Sequence, residues 1–192
     1  MELQHVNAKL FAGDSAGLPL GDLIPIFQQW IEGQVFDDLL LDIADYSHVH
    51  AGPGVVLIGF SGDYSVDNTD NRLGVRYNRK AVLDGSNQDR LEQATRAALL
   101  AFQRLEAEPR LEGKLRFGGD EVEVFVNDRL LAPNTEETRK AAQPDLLALF
   151  QKLFRAPVAR SEQKTDRRRL FSTIAKAPRA FSVAELLANL NS

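Results

Sequence analysis

The spacing of apolar and polar residues changes several times along this chain, and each change marks an element. Residues 2 to 12 alternate loosely, Leu3, His5 and Asn7 against Val6, Ala8 and Leu10, which predicts a first strand. Gly13 to Gly21 is rich in turn residues. Leu23, Ile26, Phe27, Trp30 and Ile31 then fall three and four apart, the stripe of a short amphipathic helix with Pro25 in its first turn. Leu39 to Tyr46, Gly54 to Phe60 and Leu73 to Val82 follow as strands, and 47 to 67 reads for the most part as a β-hairpin with polar ends.

The clearest helix begins at Ser86, whose partner Asp89 completes a capping-box-like start, and carries Leu91, Ala94, Ala98, Ala101, Phe102 and Leu105 on one stripe. In 114-KLRFGGDEVEVFVND-128 the alternation of Val122, Val124 and Val126 with Glu121, Glu123 and Phe125 predicts a hairpin with Gly118-Gly119 at its turn. Asn134 with Glu137 predicts a capped helical turn, broken at Pro144 and resumed by Leu146, Leu149, Phe150 and Leu153. Residues 155 to 180 are basic and weakly periodic, and Ser182 with Glu185 opens a last short helix containing Leu186, Leu187 and Leu190.

Runs of adjacent strands between helices predict an α+β fold, an antiparallel or mixed sheet with helices packed on one face. The expected organisation is a globular α+β domain over 1–154 and a C-terminal arm over 155–192, made of a basic linker and a short helix. That helix is shorter than the ~12–15 residues an isolated helix needs in water, so it must dock on something.

At 192 residues and 44% hydrophobic content the chain can bury one substantial core. With no cysteine, disulfides, thiolate zinc sites, iron–sulfur clusters and a cysteine nucleophile are excluded. The start, MELQHVNAKLF, lacks the charge and apolar run of a signal peptide, and no apolar run approaches membrane-spanning length, so the expected location is cytoplasmic, with no membrane contact. The net charge of −4 conceals an asymmetry. Residues 1 to 154 carry 15 Lys and Arg against 24 Asp and Glu, a balance of −9, whereas 155 to 180 carry eight against two, or +6.

Most fragments that resemble active-site motifs have the wrong context. His48 and His50 share one face of an extended segment but supply only two ligands of a metal site. Gly52-Pro53-Gly54 precedes a strand, whereas phosphate loops open a helix. Gly59-Phe60-Ser61-Gly62 is one residue short of a nucleophile elbow, and the Asp63, Asp67, Asn68, Asp70, Asn71 series lacks calcium-loop spacing and reads as turn. No catalytic residue, metal or cofactor is therefore assigned.

The strongest remaining candidate is an anion site at Arg76, Asn78, Arg79 and Lys80, at the end of a strand and just before a capped helix N-terminus; its alternative is a charged, solvated strand edge. Asn127, Asp128, Arg129 and Asn134 form a second polar group that would border the same cleft. In the basic arm, Arg167, Arg168 and Arg169 are candidate contacts, either to nucleic acid or to the acidic body of the same or a neighbouring subunit, with docking favoured.

The segments 45-DYSHVHAGPGVVLIGFSGDYSVD-67, 74-GVRYNRKAVLDGSNQDRL-91 and 127-NDRLLAPNTEET-138 together resemble a family of bacterial proteins with no assigned activity, over roughly residues 2 to 154. The resemblance implies a bacterial cytoplasmic protein and transfers no site residues. Three functions stay open from the sequence: a non-catalytic binding or assembly protein forming a homo-oligomer (an arm-exchanged homodimer if the helix docks in trans), an enzyme or binding domain for an anionic small molecule, and nucleic-acid binding through the arm.

Overall fold

The computed structural model describes residues 1–13, 17–162 and 168–192. Among these residues eight strands form one antiparallel sheet, three α-helices pack against it and a fourth packs on two of those helices, an α+β architecture. The strands are β1 (Val6–Ala12), β2 (Leu40–Tyr46), β3 (Gly54–Gly59), β4 (Gly62–Asp67), β5 (Gly74–Arg79), β6 (Phe117–Val126), β7 (Ala159–Glu162) and β8 (Phe171–Lys176), in the spatial order β2-β3-β4-β5-β1-β6-β8-β7. The helices are α1 (Leu23–Gly33), α2 (Asn87–Glu106), α3 (Glu136–Phe154) and α4 (Val183–Leu190). No helix among the described residues is long and apolar enough to cross a membrane.

Alternation sorts each strand's side chains between the two faces. Val6, Ala8 and Leu10 of β1, Val66 of β4, Val75 and Tyr77 of β5, and Val122, Val124 and Val126 of β6 join one core with Leu91, Ala94, Ala98 and Phe102 of α2 and Leu23, Ile26 and Phe27 of α1. The capping box expected at Ser86 is present: its hydroxyl accepts from the Asp89 amide, and the Asp89 carboxylate accepts from the Ser86 amide at 2.7 Å. The one expected at Ser182 with Glu185 is present as well.

The edge strand β2 is blunted rather than left open. Gln34, held in the left-handed region at φ 42° just past α1, donates its side-chain amide to the Leu40 carbonyl at 3.0 Å and accepts from the Leu40 amide at 2.9 Å. A side chain thus takes the place of a ninth strand at that residue, and Asp42 and Asp45 place charge further along the same strand.

The structure departs from the sequence expectations in four places. Residues 114 to 128 form no hairpin, because β6 runs straight from Phe117 to Val126. Gly119, at φ 92°, instead lets the chain before α4 come close: the Phe181 amide bonds the Gly119 carbonyl at 2.7 Å, and a methyl on Gly119 would lie 3.1 Å from the Ala180 Cα. The Asx series from Asp63 to Asn71, read as turn, begins inside strand β4, which pairs with β3 as the expected hairpin, and the turn begins only at Thr69. The helix expected to break at Pro144 is continuous and capped by Thr135 rather than Asn134. Pro144 and Lys140, whose carbonyl loses its amide partner, both lie on the exposed side, where that carbonyl is not shut away from solvent.

The largest departure is the basic stretch after residue 154. Expected as a linker, it contains β7 and β8, and β8 pairs with β6 along its whole length, from Glu121↔Lys176 to Val126↔Phe171. The helix α4 finds its docking partners in the same chain, α2 and α3, with the Asn189 side chain donating to the Leu153 carbonyl at 2.8 Å and Arg96 donating to the Leu190 carbonyl at 3.1 Å. Phe171, Ala175, Phe181, Leu186 and Leu190 are buried in the common core, so β8 and α4 pack with the elements of 1–154.

A charged cleft on the uncovered face of the sheet

The face of the sheet that carries no helix is not simply wetted. Register sets a row of side chains across five neighbouring strands: Ser65 of β4 opposite Arg76 of β5, Arg76 opposite Lys9 of β1, Lys9 opposite Glu123 of β6, and Glu123 opposite Ile174 of β8. Three consecutive positions in that row are therefore charged. Beside it, Asp67, Gly74 and Phe11 form a second row.

These rows floor a cleft of about 290 Å³. Phe11, Phe125, Leu170 and Ile174 supply its apolar surface. Both phenylalanines are buried but stand apart from the helix-side core, and each carries an arginine on its ring: Arg72 lies 3.7 Å above Phe11 and Arg76 4.5 Å above Phe125. The rim is formed by Thr69, Asp70 and Arg72 on one side and Arg168 and Arg169 on the other, joined by an Arg169–Asp70 ion pair at 3.4 Å.

Lys9 is the most deeply placed cation. Its Nζ lies 2.5 Å from Asp67 Oδ1, with the two side chains 4% and 0% exposed. Asp67 also accepts from the Thr69 amide at 3.1 Å and hydroxyl at 2.8 Å, while Arg76 Nη1 stands off at 3.5 Å. Burial pulls the Lys9 ammonium below its ordinary pKa even though Asp67 holds it up. Arg76 is the least committed member of the floor, for its Nε is buried with no hydrogen-bond partner.

Two carboxylates on β6 show how local the electrostatics are. Glu121 and Glu123 lie on the same face, two residues apart. Burial would raise Glu121, but Arg72, which it holds in an ion pair, and Lys176 prevail and hold its pKa low. At Glu123 burial wins and the pKa is raised, with Ser172, Lys9, Arg76 and Arg72 offsetting it only in part. An amine lowered and a carboxyl raised thus sit on facing residues of adjacent strands, the kind of pairing found at sites that move protons or bind ions.

Of the residues expected to form an anion site, the structure brings only Arg76 to the cleft. Asn78 lies on the same face one row away, opposite Asn7 and Asp63. Arg79, of opposite parity, donates to the Ala81 carbonyl at 2.9 Å, and Lys80 is held by the Gly59 carbonyl at 2.6 Å and Asp63 at 2.7 Å. The α2 N-terminus toward which they were expected to converge already binds the Asp89 carboxylate. Asn127, Asp128, Arg129 and Asn134 lie outside the cleft lining: Asp128 accepts from the Leu130 and Leu131 amides, Arg129 donates to the Arg168 carbonyl, and Asn134 accepts from Arg139.

Arg168 and Arg169 border the cleft, and Arg167 lies outside the described residues. Lys176 and Arg179, also basic in this region, pair with Asp120 and Glu121 and with Glu185. His48 and His50 are exposed in the turn after β2, and no group of three or more metal-ligating side chains forms among the described residues. Lys9, Asp67, Glu123 and Arg72 went unrecognised as a site in the sequence. The available signal was charge at alternate positions inside strands, VNAKLFA and DEVEVFV, together with the period-2 parity that separates Arg76 from Arg79.

No protein-family model matches the chain, and no curated protein or solved structure matches it either. The resemblance over residues 2 to 154 therefore adds no residue roles, and the site stands on its own geometry.

Proposed function

We propose that this protein binds a small organic anion in the cleft on the uncovered face of its sheet, with Arg76 as the principal contact. The observation that carries this reading is the Arg76 guanidinium, stacked on Phe125, 3.5 Å from its nearest carboxylate and with a buried, unpartnered Nε. A guanidinium presents its donors in a planar fork suited to a carboxylate or phosphate, and here part of that fork is unused. Five cations, Lys9, Arg72, Arg76, Arg168 and Arg169, line the cleft against three anions, Asp67, Asp70 and Glu123, which favours an anionic guest. The assembly role expected for the C-terminal helix loses its motive, because α4 packs on α2 and α3 of its own chain.

Thermal unfolding with a panel of carboxylates and phosphates at fixed ionic strength tests the proposal. A ligand at one hundred times its Kd should stabilise the native protein by about 2.7 kcal/mol. Arg76→Met should lose that gain while folding normally. A panel without effect, or equal stabilisation of the variant, would remove Arg76 as an anion site.

A further inference from the structure

The charge count of the floor narrows the ligand beyond its sign. Lys9 pairs with Asp67 at 2.5 Å and Arg76 stands 3.5 Å from the same carboxylate, so Glu123, across β1 from Arg76, has no carboxylate-free cation of its own and is held ionised by Lys9 and Arg76 together. The groups facing Glu123 are Lys9 from β1, Arg76 from β5, Arg72 from the turn before β5 and the Ser172 hydroxyl from β8; Glu121 precedes it on its own strand. Arg72 is already engaged, since it pairs with Glu121 and stacks on Phe11. A ligand carboxylate that takes the free side of Arg76 therefore draws off one of the cations that hold Glu123 ionised and adds a second negative charge beside it. A second anion beside the half-buried Glu123 is costly, and a proton on Glu123 relieves the conflict. A dianion would deepen it. Between the charged floor and the charged rim, Phe11, Phe125, Leu170 and Ile174 supply apolar surface, and at about 290 Å³ the space is small beside ligand pockets, which run from roughly 300 to 1,000 Å³.

We propose that the ligand is a compact monocarboxylate with an apolar or aromatic body, seated between Phe11 and Phe125 with its carboxylate on Arg76, and that each binding event places one proton on Glu123. The step is acid–base only: solvent or buffer supplies the proton, and Glu123 releases it when the ligand leaves. This inference rests on the anion-site reading above, but it makes a demand that reading does not, because a site without Glu123 coupling would bind anions with no net proton transfer.

Isothermal titration calorimetry on the full chain, with benzoate as probe, tests it. Inorganic phosphate and benzamide serve as comparisons, and the titrations are run in two buffers of different ionisation enthalpy. Benzoate should bind with uptake of about one proton, its affinity falling about tenfold per pH unit on the alkaline side. Benzamide, the same ring without the charge, should not bind. Glu123→Gln should bind benzoate with no proton uptake and no such pH dependence. Benzoate binding to the wild-type protein without proton uptake would overturn the coupling, and needs no variant to fold; uptake persisting in Glu123→Gln would overturn the assignment to Glu123. Tighter binding of phosphate than of benzoate would overturn the ligand class while leaving the anion site standing. Binding of neither anion would remove both.

Discussion

Gly74 stands opposite Asp67 on β4, and a methyl group on its Cα would lie 3.0 Å from the Lys9 Cε and closer still to the Leu10 carbonyl. The missing side chain is what lets Lys9 lean across β5 to a carboxylate two strands away. Gly74→Ala should displace that lysine or the β1 backbone, costing about 1–3 kcal/mol in urea unfolding with an unchanged m-value. A neutral outcome would mean that Lys9 has another route to Asp67.

The Lys9–Asp67 pair should behave as a unit. Either Lys9→Met or Asp67→Leu alone leaves a buried charge without its partner and should cost about 3–5 kcal/mol. The double replacement Lys9→Met, Asp67→Leu removes both charges while keeping bulk, and should lose clearly less than either single change. Additive losses in this double-mutant cycle would show that the two side chains act independently.

Glu123 ties stability to pH in a definite direction. Its native pKa is raised by burial, so as pH climbs past the ordinary glutamate value the unfolded chain gives up this proton first. The native state then holds more protons than the unfolded one, and this group's contribution to stability falls with rising pH until the native carboxyl also ionises. Glu123→Gln removes the effect. Its stability relative to wild type should therefore rise from the acid limb toward neutral pH, measured by denaturant titration at a series of pH values. A difference that stays flat would show that Glu123 is not perturbed.

Shortening the chain at Phe154 should not yield a trimmed domain. It takes β8 off β6 and α4 off α2, exposing apolar core, and the product should be unfolded or insoluble by circular dichroism and gel filtration. A milder probe is Leu186→Ala, at a fully buried position of α4, with an expected loss of about 2–5 kcal/mol.

How much of this could be read in advance varies with the range of the interaction involved. Local signals carried through: the Ser86–Asp89 and Ser182–Glu185 boxes each need only a few residues, and the α1 and α2 stripes bury the side chains their spacing selects, Ile31 only in part. The glycines at 118 and 119 misled because the same residues serve a turn or a close approach, and only the position of Ala180 and Phe181 decides between them. Residues 155 to 180 looked like a linker since β8 borrows its order from β6, to which it is not adjacent in sequence.

The cleft was the least legible part. Lys9 within VNAKLFA looks like a solvent-facing residue of a half-buried strand, the ordinary state of an antiparallel sheet with one free face. Its burial depends on Asp67, Arg76 and Glu123 arriving from three other strands in one register. Arg76 was singled out, but with neighbours in sequence, Arg79 and Lys80, rather than neighbours across the sheet.

The placement of β1 also governs the order of assembly. Strands β2 to β5 follow one another in sequence and in space, so they can close hairpin by hairpin as the chain leaves the ribosome. The strand β1 is made before all of them yet lies between β5 and β6, and it gains its second neighbour only after Val126 has been synthesised. For most of its synthesis, then, the chain carries a completed central strand with an open edge, which β6 covers only late in the chain.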